Sequence, residues 1–305
     1  MITEIKAYAK INLNLEVNNH RSDGYHNIFS LMANIDLYDL LKLEDARVIE
    51  FRDSDIRISV TGGRYKGALD SLSTGNNLIS RAGKEYLKHI KASASVHFSL
   101  LKDIPVGSGL GGGSADAAAA IKLINGYINK ETDKGLTNLG LIGIGAKVGA
   151  DVPFCLTGGF AFCEGTGDII ESTWSSLNDY WLLIVNNGIH IDTAWAYKSL
   201  ERGSESRIGP EEIQLRKDRI SNAIESGDID EMSKCLTNDF EVPVFNKYPD
   251  IAKLKKRIMK LGARLSIMTG TGSTLVGFYS DEEKANKAKD ILKDEVEMAL
   301  LTKFI

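Results

Sequence analysis

The chain is expected to fold as an α+β protein of two closely packed domains, and three observations predict this. Strand-like and helix-like stretches interleave without the strand–helix–strand rhythm of a parallel α/β sheet. The length of 305 residues exceeds one small domain and suits one large or two medium ones. Near residue 165 helical, glycine- and alanine-rich sequence gives way to strand-like sequence with no proline- or serine-rich linker, so the expected domains are 1–165 and 166–305.

The opening stretch alternates. Ile5, Ala7, Ala9, Ile11, Leu13, Leu15 and Val17 share one parity, and Lys6, Tyr8, Lys10, Asn12, Asn14 and Glu16 the other. A period of two marks a strand with one buried face. Arg21-Ser22-Asp23-Gly24-Tyr25-His26 reads as a turn into a second strand around Phe29–Leu37, with further strands near Val48–Phe51 and Ile56–Val60. Leu78–His89 reads as a helix and Ser95–Leu101 as a strand. A glycine-rich loop, Gly107–Gly113, then leads into an alanine-rich helix over Ala115–Asn125, and Leu136–Val148 is a helix stopped by Gly149. Strands are expected at Phe160–Glu164, Ile169–Ile170 and Trp181–Val185, and helices at Arg216–Glu225 and Ile251–Leu261. Strands at Leu265–Thr269 and Thr274–Tyr279 flank a second glycine turn, and Asp281–Asp294 is a closing helix.

Composition removes several function classes. Apolar residues at 43% and charged residues at 26% are ordinary for a protein with a real core. A net charge of -4 gives no reason to expect nucleic acid or an anionic membrane as partner, so any anionic substrate must be drawn by a local site. The three cysteines, Cys155, Cys163 and Cys235, form no CxxC pair and suit a reducing, cytoplasmic location. The first residues lack the apolar run of a signal peptide, and no stretch approaches the roughly 18 apolar residues of a membrane span. The basic run Lys253, Lys255, Lys256, Arg257, Lys260 is best read as a solvated helix face.

The most informative segment is Ile104-Pro105-Val106-Gly107-Ser108-Gly109-Leu110-Gly111-Gly112-Gly113-Ser114-Ala115-Asp116. Glycines let the backbone turn tightly and bring N–H groups against a ligand with no Cβ in the way. Ser114 is a good N-cap for the helix that follows, and a helix N-terminus behind bare amides suits a di- or triphosphate. A merely flexible loop is the bland reading. Gly107-Ser108-Gly109-Leu110-Gly111-Gly112 also satisfies the dinucleotide fingerprint, but it does not open a first βαβ unit, and Glu131 and Asp133 sit in a polar helix connection. A Walker loop is excluded, because Gly83-Lys84 is followed by Glu85.

Pro105–Ala115 resembles the central ATP-binding motif of the GHMP kinases. Two more motifs of that family stand in the expected order: Ala9-Lys10-Ile11-Asn12-Leu13 with Arg21–His26, and Gly270-Thr271-Gly272-Ser273-Thr274. The likeness runs nearly end to end. The doubled and tripled glycines look most like the branch that phosphorylates a cytidine-diphosphate sugar alcohol in isoprenoid synthesis. The resemblance implies a two-domain fold with its active site in the inter-domain cleft, ATP as co-substrate, and ATP contacts from Lys102, Pro105, Val106, Gly107, Ser108, Gly109, Leu110, Gly111, Gly112, Gly113, Ser114 and Ala115. Mg2+ is expected because it screens the phosphates, although the sequence shows no protein cage for it; Asp116 or Ser114 would contribute indirectly.

Lys10 and Asn12 share the polar face of the first strand, so both can point into one site. Asp151 lies in Gly149-Ala150-Asp151-Val152-Pro153-Phe154, where Pro153 is expected to hold Val152 extended and pin the aspartate in a corner. Taken alone, each has a bland reading as a solvent lysine or a turn aspartate. By resemblance Lys10 and Asp151 are the catalytic pair. Asp151 would accept the hydroxyl proton and Lys10 would stabilise the developing charge. The same resemblance assigns Tyr25 and His26 to a cytosine base, Thr193 and Tyr197 to the far wall of that pocket, and Asn12 to the substrate. Asn186-Asn187-Gly188 departs from the prolines usual there. The expected partner is a small molecule bearing cytidine diphosphate, with no nucleic acid and no membrane, bound by a monomer or weak homodimer.

Overall fold

The computed structural model describes residues 3–49, 53–65, 67, 77–205 and 208–305. It divides into two compact units. Unit 1 holds Met1–Lys10, Leu37–Val106 and Gly111–Gly158; unit 2 holds Ile11–Asp36, Gly107–Leu110 and Gly159–Ile305. The chain changes unit at 10/11, 36/37, 106/107, 110/111 and 158/159, and the first two strands each contribute residues to both units.

Strand β1 (Glu4–His20) is buried on both faces over Ala9–Asn18, which corrects the expectation of one solvent face. Asn14 and Glu16 lie 0% and 2% exposed. They are tolerated because their polar atoms are bonded: Asn14 Oδ1 accepts the Thr237 N–H at 2.9 Å, and Glu16 pairs with Arg216. β2 (His26–Ile49) absorbs two of the expected strands in one; residues 50 and 51 of the second lie outside the described residues.

In unit 1, β3 (Asp55–Gly62) pairs parallel with β4 (Ser93–Leu101), and β4 pairs antiparallel with Leu40–Ile49 of β2. Helix α1 (Leu78–His89) has the expected span and is capped by the Asn77 side chain on the Ile79 N–H. Against it packs α2 (Gly112–Thr132), whose Ala117–Ala120 are at most 2% exposed. Small side chains let this helix be buried nearly all round, which a leucine stripe would not permit. Tyr86 of α1 donates to Asn125 Oδ1 at 2.7 Å, and its burial pushes the phenol up to about 12. Helices α3 (Asn138–Val148) and α4 (Val152–Thr157) complete this core.

In unit 2, β5 (Phe160–Gly165) pairs antiparallel with Ile28–Ala33 of β2 and with β6 (Ile169–Thr173). A four-stranded antiparallel sheet has the order β10-β7-β9-β8, formed by β7 (Trp181–Asn186), β8 (Leu265–Met268), β9 (Leu275–Tyr279) and β10 (Met298–Thr302). Its core joins Leu183, Val185, Met268 and Leu275 to Phe240 and Ile258. The helices are α5 (Thr193–Ser199), α6 (Pro210–Ser226), α7 (Ile229–Cys235), α8 (Glu241–Lys247), α9 (Pro249–Lys260) and α10 (Glu282–Leu292). The basic run lies on α9, where Lys253, Lys255 and Arg257 pair with Asp250, Glu241 and Glu295. No helix among the described residues is long and apolar enough to cross a membrane.

Candidate functional site

In unit 1, Lys10 Nζ lies 3.3 Å from Asp151 Oδ2. The lysine side chain is 5% exposed and that of Asp151 is 31%, so the carboxylate is the open member of the pair. Strand β1 sets the lysine and the start of α4 sets the aspartate. Here the local expectation is corrected: Val152 is helical rather than extended, Asp151 has φ −86° and ψ −10°, and Pro153 sits in the first turn of α4. Proline suits that turn, where its missing N–H is not needed and its φ is already helical.

The glycine helix begins beside this pair. α2 starts at Gly112 with Gly111 at its N-cap, three residues before the expected start, so Ser114 lies inside the first turn and is not the cap. No side chain caps the helix. Its first amides therefore remain donors for an anion, with the helix dipole adding in the same sense. Gly111 is left-handed at φ +71°, and a Cβ there would lie 2.8 Å from Lys10 Cγ. Only glycine lets the helix terminus come this close to Lys10.

Lys102 is buried at 2% exposure, and its ammonium is held between Asp39 and Asp116, at 2.9 Å from the latter. It does not present an open charge. Asp39, which the sequence reading missed, also accepts the N–H groups of Asp103 at 2.6 Å and Ile104 at 2.8 Å. A buried aspartate in a leucine-rich strand segment carries no local pattern that would mark it.

In unit 2, Gly107–Leu110 is braced by the second glycine turn. Thr274 donates to the Ser108 carbonyl at 2.6 Å and accepts from Asn186 Nδ2 at 2.8 Å. Ser273 donates to the Ile189 carbonyl at 2.6 Å, and the Gly272 N–H reaches the Thr269 carbonyl at 3.1 Å. A Cβ on Gly109 would meet the Thr269 carbonyl at 3.4 Å. Gly270 stands within reach of Gly109 and Asn12, and Thr271 completes the turn. Asn12 gives its backbone N–H to Thr269 Oγ1 at 2.8 Å and its amide to Ser30 Oγ at 2.9 Å. Pro105 and Val106 precede the loop, with Val106 exposed, and Ala115 of α2 is buried. His190, whose Nδ1 lies 3.9 Å from where a Gly107 Cβ would stand, is a neighbour the sequence did not announce.

Unit 2 also holds a run of rings. His26 lies 5.0 Å from Tyr197 at 32°, His20 stands edge-on to His26 at 4.9 Å, and Tyr197 is edge-on to Phe240 at 4.9 Å. Burial, then His20 and Arg202, hold the His26 imidazole below its usual 6.5, so it is neutral at pH 7. Asp192 caps α5 on the Trp195 N–H at 2.6 Å, which orients the helix carrying Tyr197. Tyr25 stands apart at 63% exposure, and Thr193 opens α5 exposed to solvent. The turn before them is stiffened by Arg21 on Asp23 and by Asn27 on Asn19.

Residues 77–159 match the GHMP kinases N terminal domain and residues 220–297 the GHMP kinases C terminal domain. Fold and site together define an ATP-dependent small-molecule kinase of this class. The chain is 36% identical over 284 residues to the 4-diphosphocytidyl-2-C-methyl-D-erythritol kinase of Thermodesulfovibrio yellowstonii, covering 93% of this chain and 92% of the relative. It is 33% identical to that of Clostridium kluyveri over 99% of both chains. A crystal structure of 4-(cytidine 5'-diphospho)-2C-methyl-D-erythritol kinase matches with a TM-score of 0.73 and 25% identity over 99% of this chain and 98% of that one. A homoserine kinase from Cytophaga hutchinsonii shares the fold at a TM-score of 0.68 and 18% identity, covering 100% of this chain and 98% of that one. The chain belongs to the 4-diphosphocytidyl-2-C-methyl-D-erythritol kinase family of GHMP kinases.

Proposed function

We propose that this chain transfers the γ-phosphoryl group of ATP to a hydroxyl of 4-diphosphocytidyl-2-C-methyl-D-erythritol, giving the 2-phosphate in non-mevalonate isoprenoid synthesis. The observation that carries the reading is the Lys10–Asp151 pair, 3.3 Å apart, directly against the uncapped start of α2. Phosphoryl transfer asks chiefly for positioning and charge neutralisation. Amides of Gly111–Ser114 hold phosphate oxygens, Asp151 accepts the hydroxyl proton as oxygen attacks phosphorus, and Lys10 stabilises the charge that develops. The neutral His26 offers one ring donor and one ring acceptor to the edge of cytosine, and Tyr197 offers it a face.

Mg2+ belongs to this proposal. In this reading the ion is held mainly by triphosphate oxygens and water, with the Ser114 hydroxyl as protein contact. The ion would screen the phosphate charges. The protein is read as acting in the cytoplasm as a monomer or weak homodimer. The test is phosphorus NMR of the purified protein with ATP, Mg2+ and the cytidine substrate, alongside mevalonate, homoserine and galactose. A new phosphomonoester signal with the cytidine substrate alone is expected. Equal or greater turnover of another alcohol overturns the assignment.

A further inference from the structure

We propose that Asp39, Lys102 and Asp116 form a buried clamp that positions the nucleotide loop, with Lys102 acting through the loop rather than by touching ATP. The proposal rests on the ATP-dependent kinase reading above.

The clamp ties both ends of one loop to one cluster of charge. On the entering side, Asp39 of β2 is 0% exposed and takes the N–H groups of Asp103 and Ile104, the first residues after Lys102 at the end of β4. On the leaving side, Asp116, just past the first turn of α2, takes the Lys102 ammonium at 2.9 Å. Lys102 bridges the two carboxylates. Gly112 completes the contact, since a Cβ there would lie 2.8 Å from Ile104 Cγ2 and 2.9 Å from Lys102 Nζ. The first turn of α2 thus rests on the ammonium itself. Pulling Lys102 away frees residues 103–104 and the helix start together, and with them the amides that grip phosphate.

One ammonium faces two carboxylates, and Asp116 Oδ1 is buried with no hydrogen-bond partner among the described residues. Charge-assisted bonds from a single lysine therefore hold both ends of the loop, and no other bond takes over at Asp116 when that lysine is lost.

The test is the affinity for a non-hydrolysable ATP analogue, measured by calorimetry on the whole chain and on Lys102→Met, Lys102→Arg and Asp39→Asn, with the melting temperature of each recorded beside it. Lys102→Met is expected to weaken binding about tenfold or more, and Lys102→Arg to recover part of the loss. Asp39→Asn, which leaves Lys102 in the chain, is expected to weaken binding about threefold or more. A folded Lys102→Met or Asp39→Asn with unchanged affinity overturns the proposal, and so does a Lys102→Arg that binds no better than Lys102→Met. Because binding is read without the alcohol, a failure to phosphorylate the cytidine substrate counts against the substrate assignment and leaves this readout intact.

Discussion

Gly111 and Lys10 are in such close contact that any side chain at residue 111 would stand 2.8 Å from the lysine stem. The helix terminus proposed to bind phosphate and the ammonium proposed to stabilise the reaction are thereby fixed by one close approach, at a backbone angle of +71° that a non-glycine residue resists. Gly111→Ala is expected to cost about 1–2 kcal/mol in backbone strain and to lower kcat about 10- to 100-fold by displacing Lys10. Thermal melts and steady-state kinetics measure the two effects. A variant with wild-type kcat would show that the approach has no catalytic consequence.

Asp151 is the exposed member of the pair and Lys10 the buried one. Asp151→Asn removes the proton acceptor and keeps the shape, so kcat should fall by about 10²–10⁴ while ATP affinity holds. Lys10→Ala should also depress the chemical step, by about 10²–10³. Single-turnover rates with separately measured nucleotide binding check both. Undiminished turnover in Asp151→Asn removes that residue from its role.

Tyr197 lies in the ring cluster and Tyr25 does not. Tyr197→Ala is expected to raise KM for the cytidine substrate about 3- to 10-fold, the worth of one aromatic contact, and Tyr197→Phe to restore it. Tyr25→Ala should do less than Tyr197→Ala, and the reverse order would relocate the base. His26 adds a pH effect. Its folded value is depressed from 6.5, so its contribution to stability is full above about 6.5 and is lost as pH falls through the lower, folded value. Denaturant titrations at pH 5 and 7.5 should show that loss, and His26→Phe should lessen it.

Thr274 joins the second glycine turn to the first through the Ser108 carbonyl at 2.6 Å. Thr274→Val deletes that bond and the acceptor of Asn186 Nδ2, an expected loss of about 1–2 kcal/mol. KM for ATP should rise several-fold. A melting temperature equal to wild type would count against the brace.

Much of the chain's organisation was legible in local pattern. Leu78–His89 has the helical spacing and the asparagine cap that define α1 without help from distant residues. The glycine run announces tight turning and amide donors, and the ordered motifs around Lys10, the loop and Gly270 carry the family. Where local rules competed, tertiary contacts won. Ser114 is a fine cap by type, yet the helix starts earlier because close packing on Lys10 and Lys102 admits glycine alone at residues 111 and 112. Pro153 restricts its predecessor in a loop but fits a helix's first turn, and nothing local chooses between them.

The sequence by itself determined the alternation of β1, the donor-rich glycine segment and the residue types fit for phosphoryl transfer, because these follow from side-chain period, backbone freedom and chemistry within a few residues. Only the tertiary structure decided that the polar parity of β1 is buried, that Asp39 and Asp116 enclose Lys102, and that His20 and Tyr197 flank His26. Each of these depends on partners far apart in the chain, and whether a buried charge or ring is tolerated is settled by which partners the fold brings within bonding distance.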